Sequence, residues 1–415
     1  MTPGNPGRLI RSLAALALLA AAVLPAALEL TEPAPFAVIG PAAGPSTDRP
    51  APPHGGVAAG AAVRLRTGAA PTIEIRRTGD PANRITLVLL GDGYTAAQQD
   101  LFQQQADQAW RALMVIEPFR TYQDYFNIRR VDVVSPTAGI AEGQGRGKHP
   151  TTPLGMHFWC EGTARLLCAD EAATAQYAGV GAGPQYLIAL ANSTEYGGAG
   201  GTGVTTLSGG SPDAGRIIQH EIGHTLGDLG DEYDSAPKDA DYPNLSAQGA
   251  DAMRRDHSKW WRWLGADSPD GGGLVGAYRS ANGLYRPTPD SVMRTLGGSY
   301  NLPSREAIIE QVYRRLSPVD GAEPAPGRVV GRPRLTVRPL HLTGDRQLQV
   351  DWKVDGRPVQ PTAADRSWLD SASLPLTPGQ RVTVTATVRD TTDWVRDEAF
   401  RDQHMTRSVS WVLTG

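Results

Sequence analysis

The sequence predicts a mixed α/β domain followed by a smaller all-β sandwich, and three features of the chain support this fold class. Apolar strand-like runs alternate with helical patterns over residues 72–317. A stretch rich in Pro and Gly follows over residues 318–332 and suggests a linker. Residues 333–415 then show short alternating segments between turn signals, which is typical of a β-sandwich.

The elements of the first domain follow from the spacing of apolar residues. Strands are predicted at residues 73–75, 85–90, 125–134, 186–191 and 205–207. Helices are predicted from residue 95 onward and over residues 170–177, 211–227 and 305–316. The apolar side of the first helix should consist of Phe102, Ala106, Ala109, Trp110 and Leu113. In the second domain, strands are predicted at residues 335–337, 348–354, 381–388 and 408–413.

The first 30 residues have the pattern of a secretory signal peptide. Arg8 and Arg11 precede an unbroken apolar run over residues 13–24, and small residues follow it. The alternative is a retained membrane anchor, but the run is shorter than the ~20 residues that a membrane span needs. Residues 31–71 are rich in Pro, Ala and Gly and predict a linker or disordered segment. We therefore expect a secreted protein without a membrane span after signal cleavage.

Composition excludes some functions and suggests a disulfide. The chain has 415 residues and a formal net charge of −3, without a long basic run, so nucleic acid is not an expected partner. Cys160 and Cys168 are the only cysteines. In an exported protein such a close pair predicts a disulfide, with two buried free thiols as the alternative.

The central motif is His-Glu-x-x-His, formed by His220, Glu221 and His224. On a helix, residues four apart lie one turn apart on the same face, so both imidazoles can bind one zinc ion. Glu221 would project beside them, close enough to act on a zinc-activated water. A surface helix with two solvated histidines is the alternative that the motif alone leaves open.

The flanks of the motif predict where this helix begins and ends. Ser211 suits the N-cap and Pro212 the first helical position. Gly227 suits the C-terminal end, after which the chain turns into Asp231 and Glu232. Either carboxylate could supply the third ligand that a catalytic zinc needs.

Two other segments near the motif allow weaker predictions. Strand 205–207 lies directly before the metal helix, where zinc peptidases bind an extended substrate backbone by strand addition. Asp92 could be a ligand or a base, but an Asp between two glycines is more typical of a turn.

Several separate motifs are spread over roughly residues 72–316. They are the following segments: Gly91-Asp92-Gly93-Tyr94-Thr95, Phe119 through Tyr122 to Phe126-Asn127, Gly155 to Cys160 with Arg165-Leu166-Leu167-Cys168, Asn192-Ser193 with Tyr196-Gly197-Gly198, His220 to Tyr233, and Tyr285-Arg286-Pro287 with Met293-Arg294. Together these motifs resemble one known family, the IgA-peptidase-like metallopeptidases of the metzincin group of zincins.

The resemblance implies a zincin domain with His220 and His224 as zinc ligands and Glu221 as general base. The commoner metzincins place their third ligand three residues after the glycine that matches Gly227, and that position is Gly230 here. Asp231, one place further on, is the carboxylate that the family's motif offers, with Glu232 as the alternative.

Further roles also follow only from the resemblance. Met293 would lie in the Met-turn beneath the metal. Ser291 stands where close relatives are expected to have Cys, which puts the rigidity near the Met-turn in doubt. Apart from the resemblance, the sequence identifies no group for oxyanion stabilisation; Tyr285 is a candidate, but a structural role is more typical of it.

We therefore predict a secreted zinc-dependent endopeptidase whose substrate is a protein or peptide. The alternative is an exported, non-catalytic zinc-containing module that binds surface carbohydrate or protein. A closed coordination sphere with both Asp231 and Glu232 bound would favour that alternative. Hydrolysis of non-peptide amides, the protein substrate and the oligomeric state stay open.

Overall fold

The computed structural model describes residues 70–143, 147, 150–201, 203–234, 236, 239–270, 272–329, 331–344 and 346–415. The predicted signal peptide, residues 1–30, and nearly all of the predicted linker, residues 31–71, lie outside these ranges and stay predictions. Within the ranges, no helix combines the length and the apolar character that crossing a lipid bilayer requires.

A six-stranded, mostly parallel sheet forms the centre of the first domain. Its strands are β1 (Thr72–Arg76), β2 (Ile85–Asp92), β3 (Phe126–Val131), β4 (Gln185–Ala191), β5 (Gly198–Ala199) and β6 (Val204–Ser208). They lie in the order β1-β3-β2-β4-β6-β5, with the edge strands β1 and β5 antiparallel to their neighbours. Strand β2 is buried along its whole length because it pairs in parallel on both sides and both sheet faces are covered.

Helices cover this sheet, which makes the fold mixed α/β as predicted. The described residues form the helices α1 (Gln99–Leu113), α2 (Glu171–Ala178), α3 (Ala214–Gly227), α4 (Ala250–Asp256), α5 (Leu302–Tyr313) and α6 (Glu398–His404), of which α2 and α3 contact strands of this sheet directly. Helix α1 buries the five residues predicted for its apolar side and packs against α3. The side chain of Gln219 in α3 donates to the carbonyl of Ala112 in α1 at 2.7 Å, and this hydrogen bond holds the two helices together.

Helix α3 ends as predicted but begins later. Its first residue is Ala214, and Asp213 rather than Ser211 precedes it. Ser211 instead accepts from the Ala214 amide at 3.0 Å, so residues 211–214 form a turn before the helix. At the other end Asp228 has a φ of 54°, and the Leu229 amide donates to the carbonyl of Gly223 at 3.1 Å. This left-handed ending directs the chain back towards the helix.

Strands dominate the C-terminal part of the chain. They are β11 (Val319–Glu323), β12 (Gly327–Arg328), β13 (Arg334–Pro339), β14 (Gln349–Val354), β15 (Arg357–Val359), β16 (Trp368–Asp370), β17 (Arg381–Arg389) and β18 (Thr406–Thr414). Short two-residue pairs precede them: β7 (Asp267–Ser268) with β8 (Gly273–Leu274), and β9 (Tyr278–Arg279) with β10 (Tyr285–Arg286).

The C-terminal strands form two sheets with one buried face each. The orders are β11-β13-β16 and β12-β18-β17-β14-β15. Val382, Val384, Ala386 and Val388 alternate with more exposed residues along β17, as a strand with one buried face requires. This one-sided burial agrees with the predicted alternation, while the sandwich architecture itself stays a prediction.

The expected linker over residues 318–332 is wrong where the strands β11 and β12 lie. Strand β11 pairs antiparallel with β13, and β12 pairs in parallel with β18. The Gly and Pro content of this stretch is typical of a linker, so it did not predict strands. The strands form because β13 and β18 pair with them, and the sequence of an isolated segment does not show its pairing partners.

A buried polar network joins residues before and after this stretch. Asp390, which is fully buried, accepts hydrogen bonds from the hydroxyls of Tyr122 at 2.8 Å and Tyr313 at 2.7 Å. The hydroxyl of Tyr313 also lies 2.7 Å from that of Tyr125. The C-terminal part therefore contributes a hydrogen-bonded carboxylate to the core of the first domain.

Replacing Asp390 with alanine is expected to lower the free energy of unfolding by about 3 kcal/mol, because two buried tyrosine hydroxyls lose their acceptor. Urea denaturation measures this. Asp393→Ala is the control, since Asp393 is exposed and should change stability by less than about 0.5 kcal/mol. Equal midpoints for the two variants would contradict the role given to Asp390.

Candidate metal centre

Three side chains meet where the chain turns after α3. The Nε2 atoms of His220 and His224 lie 3.1 Å apart, as expected for residues one helical turn apart. Oδ1 of Asp231 lies 3.0 Å from the first of these atoms and 3.3 Å from the second. All three residues are buried. They form the single group of potential metal ligands found among the described residues.

The hydrogen bonds of the Nδ1 atoms determine the tautomer of the two histidines and thus where the Nε2 lone pairs point. Nδ1 of His220 lies 2.8 Å from the carbonyl oxygen of Val292, and Nδ1 of His224 lies 2.6 Å from that of Leu229. A carbonyl can only accept, so each Nδ1 carries a proton and, in a neutral ring, each Nε2 is a bare acceptor. Two lone pairs and a carboxylate then converge, an arrangement that requires a cation.

The donor set and its spacing fit zinc. Two imidazoles and one carboxylate are common ligands of catalytic zinc, which keeps its fourth position open. Ligand atoms around a tetrahedral zinc lie roughly 3.3 Å from one another, close to the observed 3.0–3.3 Å. Backbone carbonyls already hold both rings by Nδ1, as zinc-binding histidines require.

The same carboxylate that attracts a metal also favours a proton on His224. Burial opposes charge on His224, but the neighbouring Asp231 outweighs it and raises the pKa of His224 to about 9. Burial likewise opposes charge on Asp231, whose pKa nevertheless falls below its ordinary value because of His224 and His220. Metal and protons therefore compete for these ligands.

Glu221 lies beside this group without being part of it. It is fully buried, and neither carboxylate oxygen has a hydrogen-bond partner among the described residues. Burial is the main reason that its pKa rises to about 7. Because a buried carboxylate without partners is costly, its two oxygens are free to bond to a water or ligand at this site.

Glu232, the alternative third ligand, points elsewhere. Its Oε1 accepts from Asn244 at 3.0 Å and from Asn301 at 3.2 Å, and its Oε2 accepts from Ser291 at 2.7 Å. Asp231 is therefore the carboxylate that the structure brings to the histidines.

The side chain of Met293 lies under the metal helix. A Cβ placed on Gly223 would lie 2.7 Å from Sδ of Met293 and 3.0 Å from the hydroxyl of Tyr300. Glycine between the two histidines thus lets the thioether and the tyrosine approach the helix backbone. The resemblance placed Met293 here, whereas the spacing of the sequence gave no sign of Tyr300.

Tyr233 is a neighbour of the site that the sequence analysis did not single out. Its hydroxyl donates to Oδ2 of Asp231 at 2.8 Å, which leaves Oδ1 to face the histidines. Burial and the Asp231 carboxylate raise the pKa of Tyr233, so its hydroxyl stays a donor. Its position two residues from Asp231 is the only signal that could have suggested this contact.

The weaker sequence predictions have mixed outcomes. Asp92 is the last residue of β2 and not a turn residue as expected; it accepts from the Thr152 hydroxyl and from the amides of Leu154 and Met156, and thus holds a loop outside the metal group. Tyr285 pairs through its backbone with Ser246, outside the metal group.

Strand addition is excluded at Thr206 and Leu207, because these residues of β6 already pair with β4 on one side and β5 on the other. Strand β5 is the sheet edge beside α3. Cys160 and Cys168 form the predicted disulfide. The loop that it closes reaches this edge, where the carbonyl of Arg165 accepts from the amide of Gly198 at 3.3 Å.

A mixed α/β domain that brings two imidazoles and a carboxylate together beside a buried glutamate is typical of zinc metallopeptidases. Residues 73–270 match the model of the family described as IgA Peptidase M64. This part of the chain belongs to that family, and the protein is a metallopeptidase, a zinc-dependent hydrolase of peptide bonds. No curated protein matches the chain.

Proposed function

We propose that the protein is a secreted zinc-dependent endopeptidase in which His220, His224 and Asp231 hold zinc and Glu221 is the general base. The observation that carries this proposal is the convergence of two Nε2 atoms and one carboxylate oxygen beside the Glu221 carboxylate, which has no hydrogen-bond partner among the described residues. The family match alone does not establish the role of each residue, the endopeptidase activity or export, and these are part of the proposal.

The chemistry of the site divides between the metal and the protein. Zinc, when bound, supplies a Lewis acid that activates water and polarises a carbonyl. The two imidazoles and Oδ1 of Asp231 would hold the ion and leave a position for water or substrate. An oxygen of Glu221 accepts the proton of the attacking water and later delivers it to the leaving amine.

Two finer structural assignments belong to the same proposal. Met293, which lies under α3 at Gly223, supports placing the domain in the metzincin group. The two C-terminal sheets, each with one buried face, support a β-sandwich domain over residues 333–415. Both carboxylate oxygens of Glu232 already accept hydrogen bonds from other side chains, so a closed coordination sphere with both Asp231 and Glu232 bound is not supported. The alternative of a non-catalytic module is therefore not favoured.

A zinc count combined with a cleavage assay tests the proposal. We expect purified protein to hold about one zinc per chain and to cleave a mixed peptide library at internal bonds. A chelator should abolish cleavage, and added zinc should restore it. Protein that holds zinc but cleaves no peptide would overturn the peptidase assignment.

The pH dependence of kcat/KM should show the ionisation of Glu221. Because only the ionised carboxylate accepts a proton, activity should fall as pH drops through the pKa of Glu221. Burial raises that pKa from its ordinary 4.5 to about 7, and a bound zinc cation lowers it again. We expect the midpoint between these two values.

Zinc content measured across the same pH range separates this effect from metal release. A decline of kcat/KM that only follows zinc loss would contradict the assignment of Glu221 as the base.

A further inference from the structure

Glu232 is a buried carboxylate whose hydrogen bonds link three separate parts of the chain. Asn244 donates to its Oε1 from the segment before α4, and Asn301 donates to the same oxygen from the N-cap of α5. Ser291 donates to its Oε2 from the loop that carries Met293. These lengths, 2.7–3.2 Å, are those of well-formed hydrogen bonds.

The same partners hold the backbone on both sides of Asp231. Asn244 forms two hydrogen bonds of 2.8 Å with the backbone of Gly230, one through its oxygen and one through its nitrogen. On the other side, the amide of Glu232 donates to the carbonyl of Met293 at 2.9 Å. Asp231 therefore lies in a segment that is fixed at the residue before it and at the residue after it.

The loop bound by Glu232 also contacts one of the histidines. Ser291, whose hydroxyl donates to Glu232, accepts from the amide of Met293 at 3.2 Å. Between these two residues, the carbonyl of Val292 accepts from Nδ1 of His220 at 2.8 Å. The loop that sets the orientation of the His220 ring is thus attached to the side chain of Glu232.

We propose that Glu232 is a positioning residue that holds Asp231 and His220 in the arrangement required to bind the metal. This inference rests on the proposed ligand set. Glu232 does not touch the metal group itself and acts through the Gly230–Asn244 pair and the 291–293 loop. Partners of this kind typically contribute 10–100-fold to metal affinity because they orient the ligands.

The cluster also explains how the Met293 loop is held without a cysteine at position 291. The hydroxyl of Ser291 lies 2.7 Å from Oε2 of Glu232 and is buried with it. A charge-assisted hydrogen bond to a buried carboxylate is among the stronger non-covalent contacts. The loss of rigidity expected from the missing cysteine is therefore offset by this bond.

Cobalt-loaded protein tests the proposal, since the visible spectrum of Co²⁺ reports the geometry of its ligands. For Glu232→Ala we expect an altered spectrum and metal release to a chelator that is 10–100-fold faster than in wild type. Glu232→Gln keeps an oxygen acceptor for the two asparagines. It should release metal faster than wild type but more slowly than Glu232→Ala. Asp390→Asn is the matched control, because Asp390 is also a buried carboxylate bound by side chains but lies outside the metal group.

The outcomes distinguish positioning from general stabilisation. If Glu232→Ala keeps the wild-type spectrum and release rate while losing as much thermal stability as Asp390→Asn, the positioning role is overturned. If Glu232→Ala does not fold, Ser291→Ala replaces it and should release metal several-fold faster than wild type; an unchanged rate in this variant overturns the role as well. Wild-type protein that binds no cobalt or zinc would overturn the proposed ligand set and this inference together.

Discussion

Replacing Glu221 with glutamine is expected to leave zinc in place and to lower kcat by about 10²–10⁴-fold. Glutamine has nearly the same shape as glutamate but cannot accept the proton of the attacking water. Glu221 lies outside the ligand group, so metal content should not change. KM should change little, because the lost interaction belongs to the transition state rather than to substrate binding. Steady-state kinetics with a cleaved peptide, together with zinc analysis, measure both effects.

Glu310→Gln provides the matched control for this experiment. It makes the same chemical change at a half-buried glutamate of α5 that pairs with Arg314 at 3.5 Å. We expect wild-type kcat and wild-type zinc content for this variant. A Glu221→Gln variant that loses zinc would show that Glu221 is a ligand, and one that keeps full activity would show that another group is the base.

The sequence allowed prediction of those parts of the site that depend on local spacing. His220 and His224 meet because they are four residues apart on a helix, and the helix ends at Gly227 as its flanking residues indicated. The apolar side of α1 was predictable for the same reason, since one helix face packs against the core.

Contacts between distant parts of the chain were beyond such reasoning. Asp231 and Glu232 are neighbours in the sequence and have similar carboxylates, so the sequence alone could not show which of them binds the metal. Their roles differ because Asn244, Ser291 and Asn301 converge on Glu232 from later segments. The strands within residues 318–332 were missed for a similar reason, because β11 and β12 are defined by the partners β13 and β18.

Replacing Asp231 with alanine should remove zinc and activity together. Two histidines alone leave the ion without the carboxylate that neutralises part of its charge and completes its protein ligands. We expect the affinity for zinc to fall by more than the 10–100-fold that loss of an outer partner causes. Titration against a chromogenic chelator measures the affinity, and the peptide assay at saturating zinc measures residual activity.

Asp228→Asn is the control for the acidic segment that follows α3. Asp228 is exposed, lies outside the metal group and has a left-handed backbone that asparagine also tolerates. Its replacement should leave zinc affinity and activity near wild type. Because the oxygens of Glu232 are already hydrogen-bonded, Glu232 should not replace Asp231 as a ligand without breaking the bonds that fix the Met293 loop. Zinc affinity that survives in Asp231→Ala and disappears only when Glu232 is also replaced would therefore reverse the roles of these two neighbouring acids.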